Sequence, residues 1–237
     1  MDKIVLLALI MAGLFFSQPA APAEAAVGWL NPSQLLAEEQ NMLLLKEVWD
    51  AQTFVELRAG HVVVTDQVMN ELLAENIAGS QKITGITVTS RENGQVELAV
   101  VTPSLGRVKI IGVLEEIHHD VNSSSITFRV VNKHLLDKPM VSWIFSRLSL
   151  AMLTKLYGNP VAGTDVFVTM QGNTVTADFH DYLHTTRIGQ VNLLGYCLLD
   201  EVRITGAQTR AGSIILDTNL AITPELSALI PAFLQGG

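Results

Sequence analysis

The chain has 237 residues and a formal net charge of −8, with 16% of its residues charged and 49% hydrophobic. Ordinary soluble domains are about 25% charged, so the apolar surplus must fill a large core, an apolar cavity or a groove. The acidic balance and the lack of any dense Lys/Arg run exclude a nucleic-acid partner, because phosphate binding needs clustered cations, and give no basis for attraction to anionic lipid headgroups.

The first residues read as an export signal. Lys3 supplies the positive end, residues 4–16 the apolar run, and Ala23-Glu24-Ala25 an A-x-A cleavage site. The apolar run is shorter than the roughly 20 residues a membrane span needs, so residues 1–25 are expected to be a cleaved signal peptide, with an uncleaved anchor as the alternative. No cysteine lies near the cleavage site, which excludes lipoprotein attachment. The expected location is periplasmic or extracellular. Cys197 is the only cysteine; it cannot form an intramolecular disulfide, and its place in a strand-like run reads as a buried, inert thiol.

Residues 26–60 form an N-terminal helical segment. Asn31-Pro32 opens it as cap and first turn, and Leu35, Leu36, Met42, Leu43, Val48 and Trp49 recur at helical spacing. Residues 61–237 read as one α+β domain. His61 to Val64 is a short strand. Thr65 then caps an amphipathic helix in which Val68, Met69, Leu72, Leu73 and Ile77 form a stripe. A meander follows: strands over 83–89, 95–102, 108–118 and 126–131, with a hairpin turn at Glu92-Asn93-Gly94 and Gly112 as a candidate bulge. Pro139 and Gly158 punctuate the next helix, in which Met140, Val141, Ile144, Phe145, Leu148, Met152 and Leu156 share an apolar arc that Trp143 extends. Two further hairpins are expected, over 165–179 and 196–222, the second starting with a strand over 196–205. An apolar helix over 224–234 ends the chain.

Helix, meander and helix together predict a curved antiparallel sheet wrapped around apolar helices. A sheet curled around the 139–158 helix leaves an apolar slot or closes as a solid core. Val64 to Leu73, with a capping Thr65 and Asn70 ahead of Leu72-Leu73, and Leu135-Leu136-Asp137-Lys138-Pro139-Met140 resemble motifs of LmeA-like phospholipid-binding proteins of bacterial envelopes. The similarity covers about residues 62–158. It implies a fold akin to half of a tubular lipid-binding module, with an acyl chain held between helix and sheet. The expected ligand contacts are Met69, Leu72, Leu73, Trp143, Ile144, Leu148 and Met152. Arg147 reaches a lipid phosphate in this reading; in the plainer one it snorkels over apolar surface or pairs with a surface carboxylate.

No catalytic signature appears. There is no G-x-S-x-G elbow and no Gly-rich phosphate loop, so no catalytic residue and no cofactor is expected. His118-His119-Asp120 and His180-Asp181-x-x-His184 are the only clusters of metal-ligand type. Adjacent histidines on a strand face opposite ways, and these clusters read as solvated loop histidines with no metal. The sequence therefore predicts an exported, non-enzymatic protein binding lipid or another apolar small molecule, in peripheral contact with a membrane at most. A structural or protein-interaction module with an envelope partner is the alternative.

Overall fold

The computed structural model describes residues 51–77, 83–152, 167–186, 188–193, 195–224, 227 and 230. The leader, the 31–50 helix, most of the 224–234 helix and the 139–158 helix beyond Met152 lie outside the described residues. In chain order the elements are α1 (Ala51–Ala59), β1 (His61–Thr65), α2 (Asp66–Ile77), β2 (Gly85–Ser90), β3 (Gln95–Thr102), β4 (Gly106–His119), β5 (Ser124–Leu135), α3 (Pro139–Arg147), β6 (Phe167–Gln171), β7 (Thr174–Asp178), α4 (His180–Thr185), a 3-10 turn (Ile188–Gln190), β8 (Asn192–Leu193), β9 (Tyr196–Cys197), β10 (Val202–Arg210) and β11 (Ser213–Leu220). The class is α+β, as the alternation of patterns predicts: nine of these strands form one open antiparallel sheet, and β8 and β9 pair separately.

Its frame is the long ribbon of β4 and β5. At the His119 end the strand order is β1-β11-β10-β4-β5-β7-β6; at the Gly106 end β3 and then β2 take the place of β10 beside β4. The sheet therefore forks along one edge of β4. Three extra residues bend it: Val131 in β5 opposite the step from Ile111 to Gly112, Glu115 in β4 opposite the step from Phe128 to Thr127, and Thr205 in β10. Each bulge re-phases its strand. In β4 the buried positions run 108, 112, 114 and then 117, 119; in β5 they run 124 to 130 and then 133, 135. A bulge also increases local twist, so the ribbon keeps one face on the core while it coils.

Helices close two of the unpaired edges of this sheet with polar side chains. In α2, Asn70 bonds both backbone groups of Val88, and Asp66 Oδ2 accepts the Ser90 N–H at 2.8 Å. In α3, Ser142 Oγ accepts the Leu135 N–H at 2.8 Å, on the stretch of β5 that β7 does not reach. The core beneath is one cluster that includes Val64, Met69, Leu73, Val88, Ile117, Ile204 and Leu216.

The predicted 139–158 helix is broken. α3 ends at Arg147 and Leu148 is extended, with ψ 143°. Ser149 Oγ accepts the Met152 N–H at 3.2 Å and so caps a second helical start. The β6–β7 turn satisfies the freed amides: Leu150 N–H donates to Asn173 Oδ1 at 3.1 Å and Ala151 N–H to the Gly172 carbonyl at 3.2 Å. Nor is α3 wrapped. It packs on β5 through Phe145 and Ser142, while Val141, Trp143 and Ile144 face outward. No helix among the described residues is long and apolar enough to cross a membrane.

Candidate functional site

The residues expected to share one ligand slot occupy three environments. Met69 and Leu73 are 0% exposed and belong to the solid core, with Leu72 half-buried beside them. Trp143 and Ile144 are 60% and 53% exposed on the outer face of α3, and Met152 is exposed as well. Leu148 packs against the core at the break after α3. The Arg147 guanidinium lies 4.1 Å from the centre of the Trp143 ring, so this cation stacks on an aromatic face.

An apolar groove does lie between α2 and the β2–β3 hairpin, one turn further along the same helix. It is open to solvent and has a volume of about 580 Å³. Ala74 and Ile77 form the helix wall; Ile86, Val100 and Val101, with Ile83 just before β2, supply most of the apolar wall opposite; the exposed Arg107 and Leu136 also line it, at the rim. Local structure explains the opening. Asn70 holds the middle of α2 to Val88, and past it the helix presents the small side chain of Ala74. At the rim, Asp137 Oδ1 accepts from Arg107 Nε and Nη2 at 2.9 and 2.7 Å, and its Oδ2 accepts the Arg107 backbone N–H at 2.7 Å. These contacts raise the pKa of Arg107 and hold the Asp137 carboxyl below the usual carboxylate range. Gly106, at φ +75°, makes room for this clasp: a Cβ there would lie 2.7 Å from Asp137 Oδ2.

A second cluster is polar, and the sequence shows only its fragments. His119, on β4, is fully buried; its Nδ1 is 2.6 Å from Ser124 Oγ, and its Nε2 is 3.0 Å from the Leu199 carbonyl, 80 residues away. Ser124 Oγ also lies 3.4 Å from His180 Nδ1. In α4, His184 Nδ1 donates to the His180 carbonyl at 2.9 Å, and His184 Nε2 meets Asp200 Oδ1 at 2.9 Å. Burial lowers the pKa of His119, and it prevails over the opposing pull of the Leu199 carbonyl. Burial also works against charge on His184, but there the His180 carbonyl and the Asp200 carboxylate outweigh it and the pKa is raised. The Ser124–His119 pair has the distance of a nucleophile and its base. Both residues are fully buried and the far ring nitrogen meets a carbonyl rather than a carboxylate, so the pair staples the two ends of the β4–β5 turn to the 198–201 turn. The two histidine motifs read from the sequence as solvated thus meet at one place, and His119 is core. Cys197 is half-buried rather than enclosed.

No family model, no curated protein and no solved structure matches this chain.

Proposed function

We propose that the protein is an exported, non-enzymatic binder of lipid or another long apolar molecule, with the groove between α2 and the β2–β3 hairpin as its binding surface. The observation that carries this reading is the groove itself: about 580 Å³, walled largely by apolar side chains, with one guanidinium at the rim. That size lies within the 300–1,000 Å³ typical of small-molecule sites. An acyl chain gains about 0.8 kcal/mol for each methylene it buries, so binding there needs no reacting group. Arg107 offers N–H donors to a headgroup oxygen, pre-positioned by Asp137. The class agrees with what the resemblance to LmeA-like proteins implies, while the contacts move from Trp143 and Leu148 to Ala74, Ile77 and Ile86.

The test is native mass spectrometry of the purified protein with uptake of a fluorescent fatty acid and a phospholipid. Bound lipid, or saturable one-to-one uptake, supports the reading; ligand-free protein with no uptake overturns it. The outer face of α3 favours a second reading, an envelope interaction module, because Val141, Trp143 and Ile144 are exposed together. Under that reading Trp143→Asp abolishes capture of a partner from envelope extract and leaves lipid uptake unchanged.

A further inference from the structure

His184, Cys197 and Asp200 bring an imidazole nitrogen, a thiol sulfur and a carboxylate oxygen within 4.8 Å of one another. We propose that these three side chains form a zinc site, which ties α4 to β9 and to the turn that follows it. The donor set selects the ion: thiolate and imidazole suit Zn²⁺, whereas Ca²⁺ and Mg²⁺ take oxygen ligands. Ligands bound at about 2.0–2.3 Å in a tetrahedron lie roughly 3.3–3.8 Å apart, so the ion enters as the His184–Asp200 contact, now 2.9 Å, opens by about 0.4 Å and the sulfur closes by up to about 1 Å.

The surroundings are arranged as a metal-binding histidine requires. His184 Nδ1 is committed to the His180 carbonyl, which fixes the ring and aims Nε2 at Asp200. This is the outer contact that ligating histidines commonly make. With Nδ1 acting as a donor, the 2.9 Å contact between Nε2 and Asp200 Oδ1 needs a proton on Nε2 as well. Zinc takes the place of that proton: two protons leave to solvent, one from Nε2 and one from Cys197 Sγ–H, as the Nε2 lone pair, the carboxylate and the thiolate bind the ion, and water fills the fourth position. The ion also has a structural task. Between α4 and β10 the described chain holds one 3-10 turn and two strands of two residues each, a stretch with little backbone pairing of its own. In the metal-free protein the Cys197 thiol donates to the Gly189 carbonyl at 3.4 Å, a contact that the zinc-bound thiolate gives up.

The experiment uses the full chain, stripped with a chelator and titrated with Zn²⁺ by calorimetry and with Co²⁺ by absorbance. The expected result is one ion per chain, a thiolate-to-Co²⁺ charge-transfer band, and affinity lowered more than about tenfold by Cys197→Ser and by Asp200→Asn. His118→Gln, in the neighbouring His118–Asp120 pair, leaves affinity unchanged. Where a variant fails to fold, modification of Cys197 by a thiol reagent in the unmutated protein replaces it, with zinc expected to slow the reaction more than tenfold. Absence of the charge-transfer band, equal affinity in folded variants, or no protection of the thiol overturns the site.

Discussion

Asn70 pairs with the backbone of Val88 through both ends of its amide: Val88 N–H donates to Oδ1 at 2.6 Å, and Nδ2 donates to the Val88 carbonyl at 2.9 Å. One side chain thereby does what a neighbouring strand would do for the edge of β2. Without it a buried N–H and a carbonyl of Val88 lose their partners, at a cost of about 1–3 kcal/mol. Asn70→Ala is expected to lower stability by that amount and to remove hydrogen-exchange protection at the Val88 amide. Protection that persists in the variant would show that another group satisfies this edge.

The same contact sets where the groove begins. Backbone groups of alternate residues point to the same side of an antiparallel strand, so the next outward pair beyond Val88 belongs to Ile86, and Ile86 lines the groove. Ala74 is exposed on α2 and also lines it. Ala74→Trp is expected to fill the groove and reduce lipid uptake more than tenfold. Position 74 is exposed, so the indole displaces no buried side chain and the variant is expected to remain folded. Trp143→Ala, on the outer face of α3, should leave uptake unchanged. Fluorescent fatty-acid titrations of the two variants separate the groove from the α3 face, and loss of uptake in Trp143→Ala alone would return the site to α3.

What the sequence made legible was local. The α2 stripe and its Thr65 cap are present, with the Val68 N–H 3.4 Å from Thr65 Oγ1. The Asn93-Gly94 turn has φ 61° and 75°, the positive values a tight hairpin needs. What escaped depends on distant partners. The helical arc after Pro139 runs on past Leu148 in sequence, but acceptors on the β6–β7 turn let the chain break there. The strand expected over 196–205 is interrupted by a turn that buries Leu198 and Leu199. His119 and His184 were visible as residues with ligand chemistry, but nothing in their spacing announces that a carbonyl 80 residues on lies against the first. For the groove, Ile77 lay in the predicted stripe; Ala74 carried no signal, because a small side chain marks space only once its neighbours are known.

Gly112 joins the two kinds of legibility. Its type marked a special position in a strand, and the structure places it opposite the bulge at Val131 rather than at the extra residue itself. The reason for glycine is an aromatic ring: a Cβ at 112 would lie 2.3 Å from Phe128 Cζ and 2.7 Å from the Arg129 carbonyl oxygen. The ring can turn, but the backbone carbonyl is fixed in the ribbon. Gly112→Ala is expected to destabilise by about 1–3 kcal/mol. Adding Phe128→Leu should recover only the part due to the ring, because the carbonyl clash remains. Full recovery in a denaturant-unfolding comparison would show that the ring alone demands glycine.

His119 and His184 lie in one cluster yet answer protons in opposite senses. The folded pKa of His119 is held below its unfolded value, about 6.5, chiefly by burial, with His180 and His184 adding to it and the Leu199 carbonyl and Asp120 opposing. Between the two values the unfolded chain binds more protons, so stability rises with pH up to about 6.5. The folded pKa of His184 lies above the same reference: burial opposes its charge, but the His180 carbonyl, Asp200 and Asp181 prevail. Its contribution is complete below about pH 6.5 and is lost as pH rises through the raised folded value. The metal-free protein should therefore be most stable near pH 6.5, with a limb falling on each side. Unfolding midpoints measured in chelator from about pH 5 to about pH 8 check this. His119→Gln is expected to flatten the acid limb, whatever its effect on absolute stability, and His184→Gln the alkaline limb. Identical profiles for the two variants would mean that the limbs belong to other groups.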